Sequence, residues 1–248
     1  MSAQIVLYDI PSAHPHNAWS PNTLKTRYAL NYKGLRYTTE WVEYPDIESV
    51  SKDIGAAPTR NKPDGRPHYT LPAIRELSTS AVISDSTKIA AYLDRTYPDA
   101  PRLMPAGGFG LFRAFEDAAR PLLDPLYPFA LPPTHAILNP RSGAYFRRTR
   151  EESYGTPLEE LAPTGEAGAV AWQKLRDNFG KMDEWFRAGG EDGVYMMGDT
   201  VCYADMWLAG YALWVKLVLP EEWEDVKTWH GGRWATLLEK LEKYETVV

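Results

Sequence analysis

Hydrophobic positions along the chain change their period several times in the first hundred residues and then settle on one. Residues 5–10, IVLYDI, form a short β-branched run, and 37–44, YTTEWVEY, repeat its character; both read as strands. Between them the pattern predicts a helix over 21–33, bracketed by Ser20 as N-cap, Pro21 at the first helical position and Gly34 as the stop. In 46–70 the breakers Pro58, Pro63, Pro67, Gly55 and Gly65, after Pro45, leave room for one short helix at most. TLPAIRE and AVISD then read as a hairpin pair, followed by a helix from about Ser86 with Ile89, Leu93 and Tyr97 on one face. The predicted order is βαβ followed by ββα.

Residues 97–108, YPDAPRLMPAGG, interrupt this alternation and read as a linker. Beyond them only helical periods remain. Leu111, Phe112, Phe115 and Leu122 open one amphipathic segment, Leu175, Phe179, Met182 and Phe186 mark a second, and Leu237, Leu238, Leu241 and Tyr244 close a third. The very apolar stretch 206–215 is far shorter than the roughly 20 residues of a membrane span and reads as a buried core helix. The Pro/Gly-rich stretch 155–168 reads as a mobile loop. The expected organisation is an α/β domain over 1–100, a linker over 101–108 and an all-α domain over 109–248.

Composition narrows the function classes. With 248 residues and 44% hydrophobic content the chain can bury a proper core. A net charge of −6, with no basic run longer than Arg147-Arg148, argues against nucleic acid or anionic lipid as partner. Cys202 is the lone cysteine, which excludes an internal disulfide and fits a reducing compartment. The N-terminal MSAQIVLYDIP lacks a basic n-region and reaches Asp9 too soon for a secretory signal, so a cytoplasmic location is expected. The five histidines have no HxxxH spacing and no cysteine partners, so no metal site is expected.

Three places carry candidate chemistry. Ser20 stands where a loop becomes a helix; taken alone it is an ordinary cap. In YTLPAI, Pro72 deletes a ladder hydrogen bond, so it belongs at an edge, at a bulge, or in a cis turn that frees the Leu71 backbone for an extended ligand. Ser84, Asp85 and Ser86 crowd a helix start with more side-chain oxygen than capping needs, which suits an amino-acid-like group, its ammonium on Asp85 and its carboxylate on Ser86. GDTVCYADMWLAG, in contrast, has Asp205 at N3 after Cys202, a capping-box spacing read as a folding device.

Together, the βαβ-ββα half, the strand-associated LP, the Asp-Ser helix start, the Pro-rich linker and the all-helical half with YAD resemble a cytosolic glutathione transferase. The likeness spans the whole chain. NAWSPNTLKTRYALNYKGLRY, WVEYPDI, KPDGRPHYTLP and VISDSTKIAAYLD are similar to the fungal etherase-related FuA class. The resemblance implies a thioredoxin-like first domain, glutathione as co-substrate and a homodimer. It assigns Ser20 as the donor to the glutathione sulfur, flanked by Trp19 and Asn22. Leu71 and Pro72 would meet the cysteinyl backbone, and Asp85 and Ser86 the γ-glutamyl end. Thr70 stands where relatives often carry Lys or Gln, which leaves Lys62, Arg66 and His68 as candidates for the glycine carboxylate.

Magnitudes support a serine acting without a general base. Moving a thiol from a pKa of about 8.5 to about 6.5 needs roughly 2.7 kcal/mol. A charge-assisted hydrogen bond supplies roughly 1.5 to 3 kcal/mol, and a helix N-terminus roughly 0.3 to 1. The thiolate would attack hydrophobic aromatic electrophiles or peroxides in a pocket lined by Phe112, Phe115, Tyr127, Phe129 and Tyr145, although the same rings also suit a core. Two other readings stay open: a ligandin that carries aromatic or polyphenolic compounds with little turnover, and glutathione-dependent aryl-ether cleavage.

Overall fold

A computed structural model describes residues 4–190 and 193–248. Its first half is a four-stranded sheet with strands β1 (Ile5–Asp9), β2 (Tyr37–Trp41), β5 (Ala73–Glu76) and β6 (Val82–Ser84) in the order β2-β1-β5-β6. β1 runs parallel to β2 and antiparallel to β5, which is antiparallel to β6. Helices α1 (Pro21–Tyr32), α2 (Ile47–Ile54) and α3 (Ser86–Thr96) pack around it, as the βαβ-ββα reading expects. The second half is helical: α4 (Phe109–Leu123), α5 (Tyr127–Ile137), α6 (Pro140–Tyr154), α7 (Gly165–Ala188), α8 (Tyr203–Val218), α9 (Pro220–Val226) and α10 (Trp229–Leu241). Among the described residues no helix is long and apolar enough to cross a membrane.

The anticipated stripe Leu175, Phe179, Met182 and Phe186 is buried along α7, where Phe179 and Phe186 meet Trp234 edge-on. α8 is buried along nearly its whole length, as its apolar sequence requires. At its start Asp205 accepts from the N–H groups of Cys202 and Met196, both at 2.7 Å, so the residue reads correctly as a folding device. Burial of the Cys202 thiol, with Asp205 beside it, pushes its pKa far above the usual range and leaves it inert.

Four local expectations need correction. Leu111 is 73% exposed, because the buried face of α4 runs through Phe112, Ala119 and Leu123, about a hundred degrees away around the helix. Residues 46–70 hold, besides α2, a two-stranded hairpin of β3 (Arg60–Asn61) and β4 (Pro67–His68). The strand read in TLPAIRE begins only at Ala73, which leaves Pro72 in the cis bend that was one of its three expected settings. Residues 155–168 are no free loop: a 3-10 turn over Leu158–Glu160 buries Leu158, Arg147 grips both Glu151 and Glu159, and α7 already starts at Gly165.

The Pro-rich passage between the halves is held by one carboxylate. Asp94, in the last turn of α3, accepts from the N–H groups of Leu103 and Met104 and from Lys33 Nζ at 2.9 Å. Lys33 also donates to the Pro101 carbonyl, and Leu103 passes its own carbonyl to the Tyr203 N–H at the start of α8. Removing one partner of a buried pair strands the others. Asp94→Ala should therefore lower stability by about 3 kcal/mol in urea unfolding.

Candidate functional site

Sheet register gathers the candidate residues at one edge. Tyr8 of β1 lies opposite Ala73, and Ala73 opposite Ser84, so the loop after β1, the Leu71-Pro72 bend before β5 and the Asp85-Ser86 turn after β6 all emerge on the same side. The loop is fixed by Ser12, which bonds Asn17 through both its N–H and its hydroxyl, and by the Ala13 N–H on the Ile137 carbonyl. It delivers Ser20 to the front of α1.

Ser20 has the extended backbone of an N-cap, and its carbonyl accepts from the Leu24 N–H at 3.0 Å. Its hydroxyl makes no capping bond. A capping serine spends that oxygen on the N–H of the second or third helical residue; here the oxygen and those N–H groups stay open together. Asn22 is exposed at the second helical position, and its Oδ1 accepts from Lys25 Nζ at 3.0 Å. Trp19 is buried, with Nε1 bonded to nothing and its ring 6.4 Å from that of Tyr44.

The Leu71-Pro72 peptide is cis, and among the described residues the N–H and C=O of Leu71 have no backbone partner. Asp85 sits at φ 80°, a conformation that costs a non-glycine residue about 1–3 kcal/mol and that clusters at functional sites. Its Oδ1 caps α3 through the N–H groups of Thr87 and Lys88, each at 3.0 Å. Its Oδ2 faces Arg113 of α4 at 3.8 Å, too long for a hydrogen bond. Asp85 is thus the cap, and Ser86, buried as the first helical residue, is the surplus oxygen.

The three basic residues expected near the other end are compromised. Lys62 lies 3.5 Å from Glu48, and Arg66 is an exposed partner of Asp64. Burial lowers the His68 pKa, and Arg60, Lys62 and Arg150 lower it further against Glu48, which disfavours the charged imidazolium. The cation that sequence reasoning missed is Arg150, from α6. Its guanidinium lies 4.5 Å from the Phe146 ring and 5.8 Å from that of Tyr44, and it donates to Thr149 Oγ1 at 3.0 Å and meets the Tyr44 hydroxyl. No carboxylate among the described residues pairs with it. Nothing local in the sequence marks it, since it reaches the site only through α6 packing on the 3-10 turn Tyr44–Asp46.

Among the aromatic candidates, Phe112 is buried and packs on Tyr203, while the half-buried Phe115 meets Trp185 and Trp207 and the half-buried Phe129 meets Trp172. Tyr145 stacks on Tyr44 at 6.0 Å and 11°, bridging the two halves. Tyr127 is half-buried, with its hydroxyl 3.2 Å from that of Tyr211. Tyr154, 45% exposed, completes the open side. Among the described residues no group of three or more His, Cys, Asp or Glu side chains is placed to hold a metal.

Comparison with known proteins places this geometry. Residues 110–244 match the family model of the glutathione S-transferase C-terminal domain, and residues 19–96 that of the N-terminal domain. The chain belongs to the glutathione S-transferase family. A glutathione S-transferase-like protein of Aspergillus flavus is 34% identical over 93% of this chain and 87% of its own. The transferase is also similar to a glutathione S-transferase of Ceriporiopsis subvermispora crystallised with glutathione, at 52% identity, a TM-score of 0.94 and 98% coverage of both chains. The GSTFuA3 transferase of Phanerochaete chrysosporium matches at 43% identity and 0.93 over the whole of both chains. The likeness to the FuA class read from four sequence segments holds in three dimensions.

Proposed function

We propose that this transferase activates glutathione as a thiolate through Ser20 and directs it at hydrophobic aromatic electrophiles. The observation that carries the reading is a serine with N-cap backbone whose hydroxyl is not used as a cap. Glutathione lies along the sheet edge. Its cysteinyl N–H and C=O pair with Leu71 beside Pro72. Asp85 Oδ2 takes the γ-glutamyl ammonium, and Ser86 with the N-terminus of α3 takes the carboxylate. The sulfur meets the Ser20 O–H, with Trp19 and Asn22 alongside, and the thiol proton leaves to solvent. The thiolate then forms a C–S bond with an electrophilic carbon while the leaving group departs with the bonding pair, or it forms an S–O bond with a peroxide oxygen as the O–O bond breaks and the alkoxide leaves with the pair and takes a proton from solvent.

The glycine carboxylate goes to Arg150. A guanidinium seated on Phe146 is less screened than exposed Arg60 or Arg66 and is not engaged by a carboxylate of its own, as Lys62 is. Tyr44, Tyr127, Tyr145 and Tyr154 wall the acceptor pocket. The same wall would serve a carrier of flat aromatic compounds, and turnover separates the two roles. The enzyme works as a homodimer in the cytoplasm, in keeping with one inert cysteine and an acidic surface charge.

Ser20→Ala should lower kcat/KM for an activated aryl halide at pH 6.5 by roughly 30-fold, the worth of about 2 kcal/mol of thiolate stabilisation, with KM for glutathione little changed. Unchanged turnover in the variant would reduce Ser20 to a helix start. For Arg150, affinities of wild type and Arg150→Ala are compared for glutathione and γ-glutamylcysteine, which lacks the glycine. Loss of one charge-assisted contact should cost about tenfold with glutathione and nothing with the truncated thiol; an equal loss with both ligands would remove Arg150 from the carboxylate site.

A further inference from the structure

Lys25 is the least explained group near the site. Its side chain is fully buried, on a helix whose sequence could have placed a leucine there. Nζ lies 4.3 Å from the Trp207 ring centroid and 4.8 Å from that of Tyr211, and among the described residues its one hydrogen bond runs to Asn22 Oδ1. No carboxylate among the described residues is within ion-pair distance of it. The cage depends on close helix approach: a Cβ on Gly210 of α8 would lie 2.8 Å from the Pro21 carbonyl oxygen and 3.7 Å from Lys25 Cγ. Glycine at that position lets α8 press against the first turn of α1 and close its rings over the ammonium.

An ammonium has three donors and no acceptor, so it dictates the orientation of the amide it meets. With Oδ1 turned to Lys25, the Nδ2 donors of exposed Asn22 are left for another partner. Asn22 lies two residues from Ser20 on the first turn of α1, whose leading N–H groups are free of the usual cap. Everything at this pole then donates: the Ser20 hydroxyl, the leading backbone N–H groups and the Asn22 amide.

We propose that Lys25 is a positioning residue for thiolate formation, holding the Asn22 amide with its N–H groups toward the sulfur bound at Ser20. This rests on the reading of Ser20 given above. The cage also makes the arrangement sensitive to pH. Burial, and then Arg120 of α4, pull Lys25 down to about 7, while Glu116 of α4 and Asp85 at the start of α3 act the other way. The hydroxyls of Tyr211 on α8 and Tyr127 on α5 stay protonated throughout, their pKa values raised first by burial. When Lys25 loses its proton it becomes able to accept, and the amide is no longer held in one sense. A thiolate appearing nearby favours the ammonium, so sulfur ionisation and Lys25 protonation reinforce each other.

The test is an ultraviolet titration of the thiolate of glutathione bound to wild type, Lys25→Met, Asn22→Ala and the double variant, with pH profiles of kcat/KM. Lys25→Met should raise the pKa of the bound thiol by about one unit, a tenfold change in its ionisation constant. It should also remove the inflection near pH 7 and change the glutathione Kd by less than about threefold. Asn22→Ala, a change at an exposed position that leaves the cage closed, should reproduce the thiol shift, and adding Lys25→Met to it should change the thiol by less than about twofold more. A thiol that titrates as in wild type in Asn22→Ala, or in a folded Lys25→Met, overturns the proposal and leaves Lys25 with a packing role. If Ser20→Ala also leaves the thiol unmoved, the fault lies with the Ser20 reading; if Ser20→Ala shifts it and the other variants do not, it lies with Lys25 alone.

Discussion

Helix α1 is buried on nearly every side while it carries Lys25 and Arg27 and ends at the C-cap Lys33, and its neighbours are arranged to answer those three charges. Arg27 reaches Asp9 of β1 at 2.7 Å, both side chains wholly buried, and also donates to Tyr37 and Thr39 of β2. Lys33 joins Asp94 and through it the passage between the halves. Lys25 enters the aromatic cage of α8. Buried charge is tolerated only when paired or hydrogen-bonded, so each cation ties α1 to a different neighbour: the sheet, α3 with the linker, and the helical half. At its far end Asn31 holds the carbonyls of Tyr244 and Thr246, and Tyr28 donates to Glu245.

A helix fixed from so many directions makes a rigid base for chemistry at its front. A hydrogen bond to sulfur contributes to catalysis only if its donor is already in place. The loop bearing Ser20 is tied at Ser12, Ala13 and Asn17, and α1 cannot retreat without breaking buried ion pairs. The remaining parts arrive from elsewhere. The sheet register supplies Leu71 and Asp85, and the helical half supplies Arg150 and the tyrosine wall, reached through Tyr44 stacked on Tyr145. The proposed site therefore needs both halves docked. Arg141 bonded to Asp46 and the Ser142 hydroxyl meeting the Tyr44 N–H add two of the contacts that dock them.

The architecture was legible in the sequence because its signals are local. Pro21 and Gly34 bracket α1, the alternating runs mark the strands, and the spacing Leu175, Phe179, Met182 and Phe186 marks a core helix. Ser20, Leu71-Pro72 and Asp85-Ser86 of the proposed site stand out in the sequence for the same reason: each is a helix start or a strand boundary that breaks a local rule. Arg150 and Lys25 were not, because their meaning lies in contacts across the two halves. Lys25 in TLKTRYAL looks like any solvated lysine until Gly210, 185 positions later, brings α8 against it. For the phenylalanines, aromatic content shows that rings are present, while the direction each faces is set by helix packing. Leu111 failed more simply, by one position around α4.

In the proposed mechanism the hydroxyl left free at the front of α1 donates to the glutathione sulfur. That donation is tested most directly by a crystal structure of the protein with glutathione bound. The account predicts Ser20 Oγ at roughly 3.0 to 3.5 Å from the sulfur, a distance suited to an O–H···S⁻ hydrogen bond. A sulfur turned away from Ser20, with that hydroxyl instead folded back to cap the N–H groups of α1, would contradict it.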